Sequence, residues 1–254
     1  MADHSTTAGQ TAIVTGSASG IGAATVLELA RQGYRTVGID VDAAGSKASA
    51  EAAAKINRLE HLAIVADVSD ERRLVAAFEQ AFAFLGRLDV LVTSAGVAET
   101  TPFMDISAAT FRSVYEVNVV GTFLCIREAA KRMQPGARIC TVASVAGLRG
   151  GGLSGTAAYA ASKGGVLALT KSAARSLAAQ GIRVNTIAPG ATLTPMIAEH
   201  WKNEAHRVRV EGMSVLNRSA EASEIASAIA FLVSPTASAI TGSTLVADNG
   251  LMMY

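Results

Sequence analysis

Tyr159 and Lys163 sit four positions apart in Tyr159-Ala160-Ala161-Ser162-Lys163, near the start of a helical pattern over Ala157–Gln180. Residues i and i+4 share one helical face, so the phenol and the ammonium project the same way. A free phenol has a pKa of about 10 and is a poor base at neutral pH. Lowering it by about three units takes roughly 4 kcal/mol. One cation about 4 Å away supplies roughly that at an effective dielectric of about 20. The pair is suited to general acid/base chemistry, though a Tyr and a Lys at this spacing also occur on ordinary amphipathic helices.

A second feature is Thr15-Gly16-Ser17-Ala18-Ser19-Gly20-Ile21-Gly22. Glycines here allow a tight turn and let backbone N–H groups approach a pyrophosphate at a helix N-terminus. The spacing, G-x-x-x-G-x-G, differs from G-x-G-x-x-G, and a plain flexible turn is the competing reading. Asp40 closes the next apolar run, RTVGID, where a carboxylate bonds the adenine-ribose hydroxyls and repels a 2′-phosphate. No Arg or Lys lies within Gly16–Gly22 or between Asp40 and Lys47, so NAD is expected over NADP. Asp42 is a rival for the Asp40 role, one turn later. Asp67-Val68 is placed to frame the adenine.

These residues need a frame. Short apolar runs at Thr11–Thr15, Arg35–Asp40, Leu62–Ala66, Leu88–Thr93, Ala137–Val142, Arg183–Ala188 and Ser243–Ala247 read as strands. Helical patterns at Gly20–Gly33, Ala44–Arg58, Asp70–Phe84, Ser107–Met133, Ala157–Gln180 and Glu221–Val233 alternate with them. Short strands without a polar face, spaced by helices, predict a parallel sheet covered on both sides. Right-handed crossovers make it a doubly wound α/β sheet of about seven strands, in one domain over 1–254. The more polar stretch Gly190–Arg218 breaks the alternation. It follows the sixth strand and is expected to cover the crevice at the strands' carboxyl ends.

The order of motifs resembles that of the short-chain dehydrogenase/reductase family over nearly the whole chain. They are the Thr15–Gly22 turn, Asp67-Val68, Thr93-Ser94-Ala95-Gly96, Asn118-Val119-Val120-Gly121, Ser144, Tyr159-x-x-x-Lys163, and Pro189-Gly190 with Thr194. The resemblance implies a Rossmann-type fold and a catalytic set of Asn118, Ser144, Tyr159 and Lys163. In it Tyr159 is the base in oxidation and the acid in reduction. Lys163 lowers the Tyr159 pKa and holds the nicotinamide ribose, Ser144 bonds the reacting oxygen, and Asn118 anchors a water in a relay through Lys163. The implied cofactor contacts are Gly16, Ser19, Gly20, Ile21, Gly22, Asp40, Asp67, Val68, Ser94, Ala95, Gly96, Tyr159 and Lys163, with Pro189, Gly190, Thr192 and Thr194 on the nicotinamide side.

Three departures from the family pattern stand out. Thr93-Ser94 replaces an Asn-Asn pair, which bears on strand stability more than on catalysis. Thr192 stands where an apolar residue is commoner. Ser144 and Tyr159 are two residues further apart than usual, through an enlarged loop over Gly150–Gly155 that also carries a rival serine, Ser154.

Composition bounds the partners. Half of the 254 residues are hydrophobic and 17% are charged, which excludes a disordered chain. A net charge of +1 gives no long-range pull toward nucleic acid or an anionic membrane. No apolar run is long enough to span a bilayer, and the first residues lack the basic and apolar regions of a secretory signal. Cys125 and Cys140 lie in apolar runs, read as small core residues, and fit a reduced cytoplasm. The histidines make no triad or metal spacing, and His200 and His206 read as surface of the 190–218 segment. The sequence reading is therefore a cytoplasmic NAD-dependent enzyme acting on a small-molecule alcohol or ketone, with no metal. The resemblance adds a homotetramer built partly on the Ser107–Met133 and Ala157–Gln180 helices. Two other readings stand beside it. One is a 3-oxoacyl carrier-protein reductase using NADPH, with Lys202, Arg207 and Arg209 as the basic patch for an acidic carrier. The other is a non-catalytic dinucleotide-binding regulator.

Overall fold

The computed structural model describes residues 9–151 and 156–253. In chain order its first half contains β1 (Thr11–Thr15), α1 (Gly20–Arg31), β2 (Arg35–Asp40), α2 (Ala43–Asn57), β3 (Leu62–Val65), α3 (Glu71–Leu85), β4 (Val90–Thr93), α4 (Ala108–Tyr115) and α5 (Gly121–Ala130). Then come β5 (Arg138–Val142), α6 (Ala146–Arg149), α7 (Ala157–Leu177), β6 (Arg183–Pro189), β7 (Thr192–Leu193), α8 (Pro195–Trp201) and α9 (Glu204–Glu211). The last are β8 (Ala220–Glu221), α10 (Ala222–Leu232) and β9 (Thr244–Ala247).

Seven strands form one sheet in the order β3-β2-β1-β4-β5-β6-β9, every neighbour parallel. The chain winds outward in both directions from β1 and β4. A crevice therefore opens between their carboxyl ends, where the crossovers part. All five residues of β1 are buried. Ile13 packs with Leu74 and Phe78 of α3 and Leu124 of α5, while Ala12 and Val14 pack with Val26 and Leu29 of α1 and Ile225 and Ile229 of α10. Two covered faces explain why the strand runs carry no polar alternation.

Two stretches differ from the sequence expectation. The helix read over Ser107–Met133 is interrupted: Glu116–Val120 forms a π-helical turn between α4 and α5. A π turn holds an extra residue and is invisible to a 3.6-residue period. The stretch read as irregular, 190–218, contains α8 and α9. Its two ends are tied by a parallel pair, Thr192 with Ala220 and Leu193 with Glu221. Pro195 at the first position of α8 marks that helix start. Thr93 sits in register between Thr15 and Thr141, and its buried hydroxyl takes no partner among the described residues.

Candidate active site

The turn after β1 is set by backbone contacts. Gly16 has φ +71°, and its N–H donates to the Ile39 carbonyl at 2.9 Å. A Cβ on Gly16 would meet the Ala95 nitrogen at 2.6 Å, and one on Gly22 would fall 1.9 Å from the Gly16 carbonyl oxygen. Only glycines allow this fold of the chain against itself and against the loop after β4. Ser19 precedes α1 but makes no side-chain cap, and the first turn carries no acidic residue. The exposed N–H groups and the positive helix end are thus left for an anion, which suits a pyrophosphate.

Asp40 is held firmly at the end of β2. Its Oδ2 accepts from the Ala18 N–H at 2.9 Å and its Oδ1 from the Asp42 N–H at 3.0 Å. The rival Asp42 is occupied as the cap of α2, accepting from the Ala44 and Gly45 N–H groups. Asp67 accepts from the Ser69 N–H and hydroxyl, shaping the turn after β3.

Across the cleft, Ser144 follows β5, and its Oγ accepts from the Ala146 N–H at 3.1 Å. The Ser144 and Tyr159 side chains line the same stretch of the cavity wall. Lys163, buried on α7, donates from Nζ to the Val142 carbonyl at 2.9 Å and lies 5.7 Å from the centre of the Tyr159 ring. Burial brings the Lys163 ammonium down to about 8. Burial also pushes the Tyr159 phenol above its ordinary value, with the Ser144 hydroxyl pulling it partly back. For the phenol, desolvation is the larger of the two influences.

Asn118 stands in the π turn, fully enclosed. Its Oδ1 accepts from the Val97 N–H at 2.8 Å, and its Nδ2 donates to the Val97 carbonyl and to Ser162 Oγ, both at 2.9 Å. Ser162 in turn donates to the Tyr159 carbonyl at 2.8 Å. Asn118 thus ties the loop after β4 to the helix that carries Tyr159.

A single cavity of about 390 Å³ brings these groups together. Gly16, Ser19, Gly20, Ile21, Asp40, Asp67 and Val68 line one end. Ser94, Ala95, Gly96, Ser144, Tyr159, Lys163, Pro189, Gly190, Thr192 and Thr194 line the rest. Of the expected site residues only Gly22 and Asn118 stand behind the wall. Val97, Ala98, Ala146, Met196 and Ile197 also line it and were not foreseen, because apolar residues carry no chemical signature. Ser154 lies outside the described residues. His200 and His206 are half-buried rather than surface. Their rings are tilted to each other, with centres 5.9 Å apart, and line a second cavity with Phe103 and Phe111. Cys125 and Cys140 are buried, their thiols pushed up to about 12, as inert core residues. Among the described residues no acidic, His and Cys side chains cluster as a metal site, and no helix is long and apolar enough to cross a membrane.

Comparison with known proteins agrees with this geometry. The profile of the family described as enoyl-(acyl carrier protein) reductase matches residues 16–252. An uncharacterized short-chain type dehydrogenase/reductase of Sinorhizobium fredii is 40% identical over 99% of this chain, which spans 45% of that relative's length. Cis-4-hydroxycyclohexanecarboxylate dehydrogenase of Sinomonas cyclohexanicum is 38% identical, covering 94% of this chain and 95% of its own. A 3-oxoacyl-[acyl-carrier-protein] reductase of Staphylococcus aureus is 36% identical, covering 96% and 98%. Among solved structures, a dehydrogenase/reductase from Sinorhizobium meliloti matches with a TM-score of 0.90 and 33% identity, covering 98% of this chain and 97% of that one. A short chain dehydrogenase from Burkholderia cenocepacia in complex with NADP matches with a TM-score of 0.90 and 29% identity, covering 96% and 98%.

Proposed function

The chain belongs to the short-chain dehydrogenase/reductase family of oxidoreductases, and from that premise we propose that it interconverts a secondary alcohol and a ketone using NAD. The observation that carries this reading is the hydroxyl pair. Ser144 and Tyr159 stand together on the wall of the cavity whose other end holds Asp40.

When bound, the dinucleotide supplies the hydride acceptor or donor. Tyr159 takes the alcohol proton in oxidation and returns it in reduction. Ser144 donates to the reacting oxygen as negative charge gathers there. Lys163, a cation at neutral pH, holds the nicotinamide ribose and favours the phenolate once the proton is in play. Asn118 anchors a water in the relay behind Lys163. Gly16, Ser19, Gly20 and Ile21 cradle the pyrophosphate, Gly22 packing behind them. Asp40 binds the adenine-ribose hydroxyls, Asp67 and Val68 frame the adenine, and Ser94, Ala95 and Gly96 form the floor. Pro189, Gly190, Thr192 and Thr194 border the nicotinamide, with 190–218 as the lid of a single domain. The protein works as a cytoplasmic homotetramer, and light scattering that finds a stable particle of one chain removes that element.

The second reading is a 3-oxoacyl carrier-protein reductase using NADPH. The matched family profile and the Staphylococcus aureus relative favour it. Asp40 weighs against NADPH. Lys202 is paired with Glu199 at 2.7 Å and Arg207 with Glu204 at 3.8 Å, so the patch for an acidic carrier is partly neutralised within the chain. The test follows reduced-nicotinamide absorbance over a panel of secondary alcohols with NAD and of 3-oxoacyl thioesters with NADPH. Fastest turnover of an alcohol with NAD is the expected result. Fastest turnover of a thioester with NADPH installs the second reading, and tight NAD binding without any turnover marks a regulator.

A further inference from the structure

The loop after β4 carries a carboxylate that the chemistry above does not use. Glu99 is only 8% exposed. A carboxylate this enclosed is costly unless its oxygens are hydrogen-bonded, and those of Glu99 are. One accepts from the Thr101 N–H, and the other from Thr156 Oγ1 at 2.5 Å. The Glu99 main-chain carbonyl accepts from the Thr156 N–H at 3.1 Å.

Thr156 is the residue that precedes α7, yet its side chain does not cap that helix. Its hydroxyl is committed to Glu99 instead. The negative charge consequently sits at the positive end of a helix of 21 residues, where it is favoured. Tyr159 is the third residue of that helix. One turn further on, the Val97–Asn118–Ser162 chain of hydrogen bonds ties the same loop to the Tyr159 carbonyl. On the opposite side, a Cβ on Gly147 would fall 2.5 Å from the Lys163 carbonyl carbon, so α6 and the Ser144 wall are packed backbone to backbone on α7. The second turn of α7 is therefore fixed from two sides. Glu99 is what fixes the first turn, from which the phenol projects.

We infer that Glu99 is a positioning residue for the reaction: its carboxylate, through Thr156, locks the first turn of α7 to the loop after β4 and sets where the Tyr159 hydroxyl stands against Ser144. The inference rests on Tyr159 being the acid/base group. A misplacement of about 1 Å at a reacting group costs about 10²-fold, so Glu99→Ala lowers kcat by about 10- to 100-fold while the dinucleotide Kd stays that of the native protein. Thr156→Val reproduces the loss. Glu99→Gln, which keeps an acceptor for the Thr156 hydroxyl, recovers most of kcat. Because both groups act through one hydrogen bond, the double variant Glu99→Ala/Thr156→Val is no slower than the worse single one.

The experiment measures kcat, KM and dinucleotide Kd for these four variants, with Tyr159→Phe alongside. Losses that multiply in the double variant, or a Glu99→Gln as slow as Glu99→Ala, overturn the inference even when Tyr159→Phe is inactive. So does weakening of dinucleotide binding in step with kcat. Retained turnover in Tyr159→Phe overturns the acid/base assignment itself, and the positioning role falls with it.

Discussion

At the dinucleotide end of the cleft, position is set by main chain. Gly16 and Gly22 approach backbone atoms more closely than any Cβ allows, and the first turn of α1 presents uncapped N–H groups. At the substrate end, position is set by side chains reaching between separate segments. Asn118 bonds Val97 and Ser162, Glu99 bonds Thr156, and Lys163 bonds the Val142 carbonyl. The first construction serves a constant ligand and tolerates almost no substitution at its glycines. The second leaves the cavity walls, Val97, Ala98, Met196 and Ile197, free to vary while a few polar links hold the reacting groups in register. Binding and turnover should then be separable by mutation.

The sharpest separation is expected at Tyr159. Tyr159→Phe removes the proposed proton carrier and leaves the glycine turn and Asp40 in place. Turnover should fall by about 10²–10⁴-fold, the usual worth of a positioned acid/base group. The dinucleotide Kd, read from quenching of Trp201 or from calorimetry, should stay within a few-fold of the native value. Loss of binding along with turnover would break the comparison, because the two ends would then be one unit.

Asp40→Ala probes the other end. A carboxylate facing the ribose hydroxyls repels a 2′-phosphate, and removing one unit charge at close range should narrow the NAD-over-NADP ratio of kcat/KM by about tenfold or more. The turnover number with saturating NAD should hardly move. A native preference for NADPH would show that Asp40 does not face the ribose. Substitution of Asp42 should leave the ratio alone, since its Oδ1 caps α2.

This division also explains what was legible from residue order. Strands such as RTVGID announce themselves by two-sided burial, and the glycine turn announces itself by composition, since backbone demands select particular residue types. Ser144, Tyr159 and Lys163 were legible as polar residues at strand and helix ends, and the fold brings them to one cavity. The π turn at Glu116–Val120 was not, because the apolar pattern continues through it at nearly the helical period. Glu99 was missed for a different reason. A glutamate in a loop reads as solvated, and only the fold brings Thr156, 57 positions away, against it. Spacing along a helix pairs Tyr159 with Lys163 but says nothing of the Val142 carbonyl that accepts from the ammonium.

Lys163 belongs to both ends of the cleft, and its burial has a consequence measurable without substrate or dinucleotide. The folded chain holds this ammonium with a pKa of about 8, against an ordinary value of 10.5. Between those values the unfolded chain binds more protons than the folded one, so stability rises with pH. Below about 8 the buried charge is present and its desolvation is a cost to folding, and above about 10.5 the cost is gone. Cys125 and Cys140 act oppositely: folded values of about 12 against an ordinary 9.0 make stability fall from about pH 8 upward. From about pH 7.5 to about pH 9 Lys163 adds about 1 kcal/mol, and the two cysteines, half ionised in the unfolded chain by about pH 9, take back most of it, so the Lys163 share is read as the native chain against Lys163→Met. His61 and His206, shifted downward, have already lost their protons there. Urea denaturation across that window should show a nearly level stability in the native chain and a fall in Lys163→Met. The same profile in both would mean that the ammonium is more hydrated than its contacts with Val142 and Tyr159 imply, and that the two ends of the cleft are less tightly joined at α7.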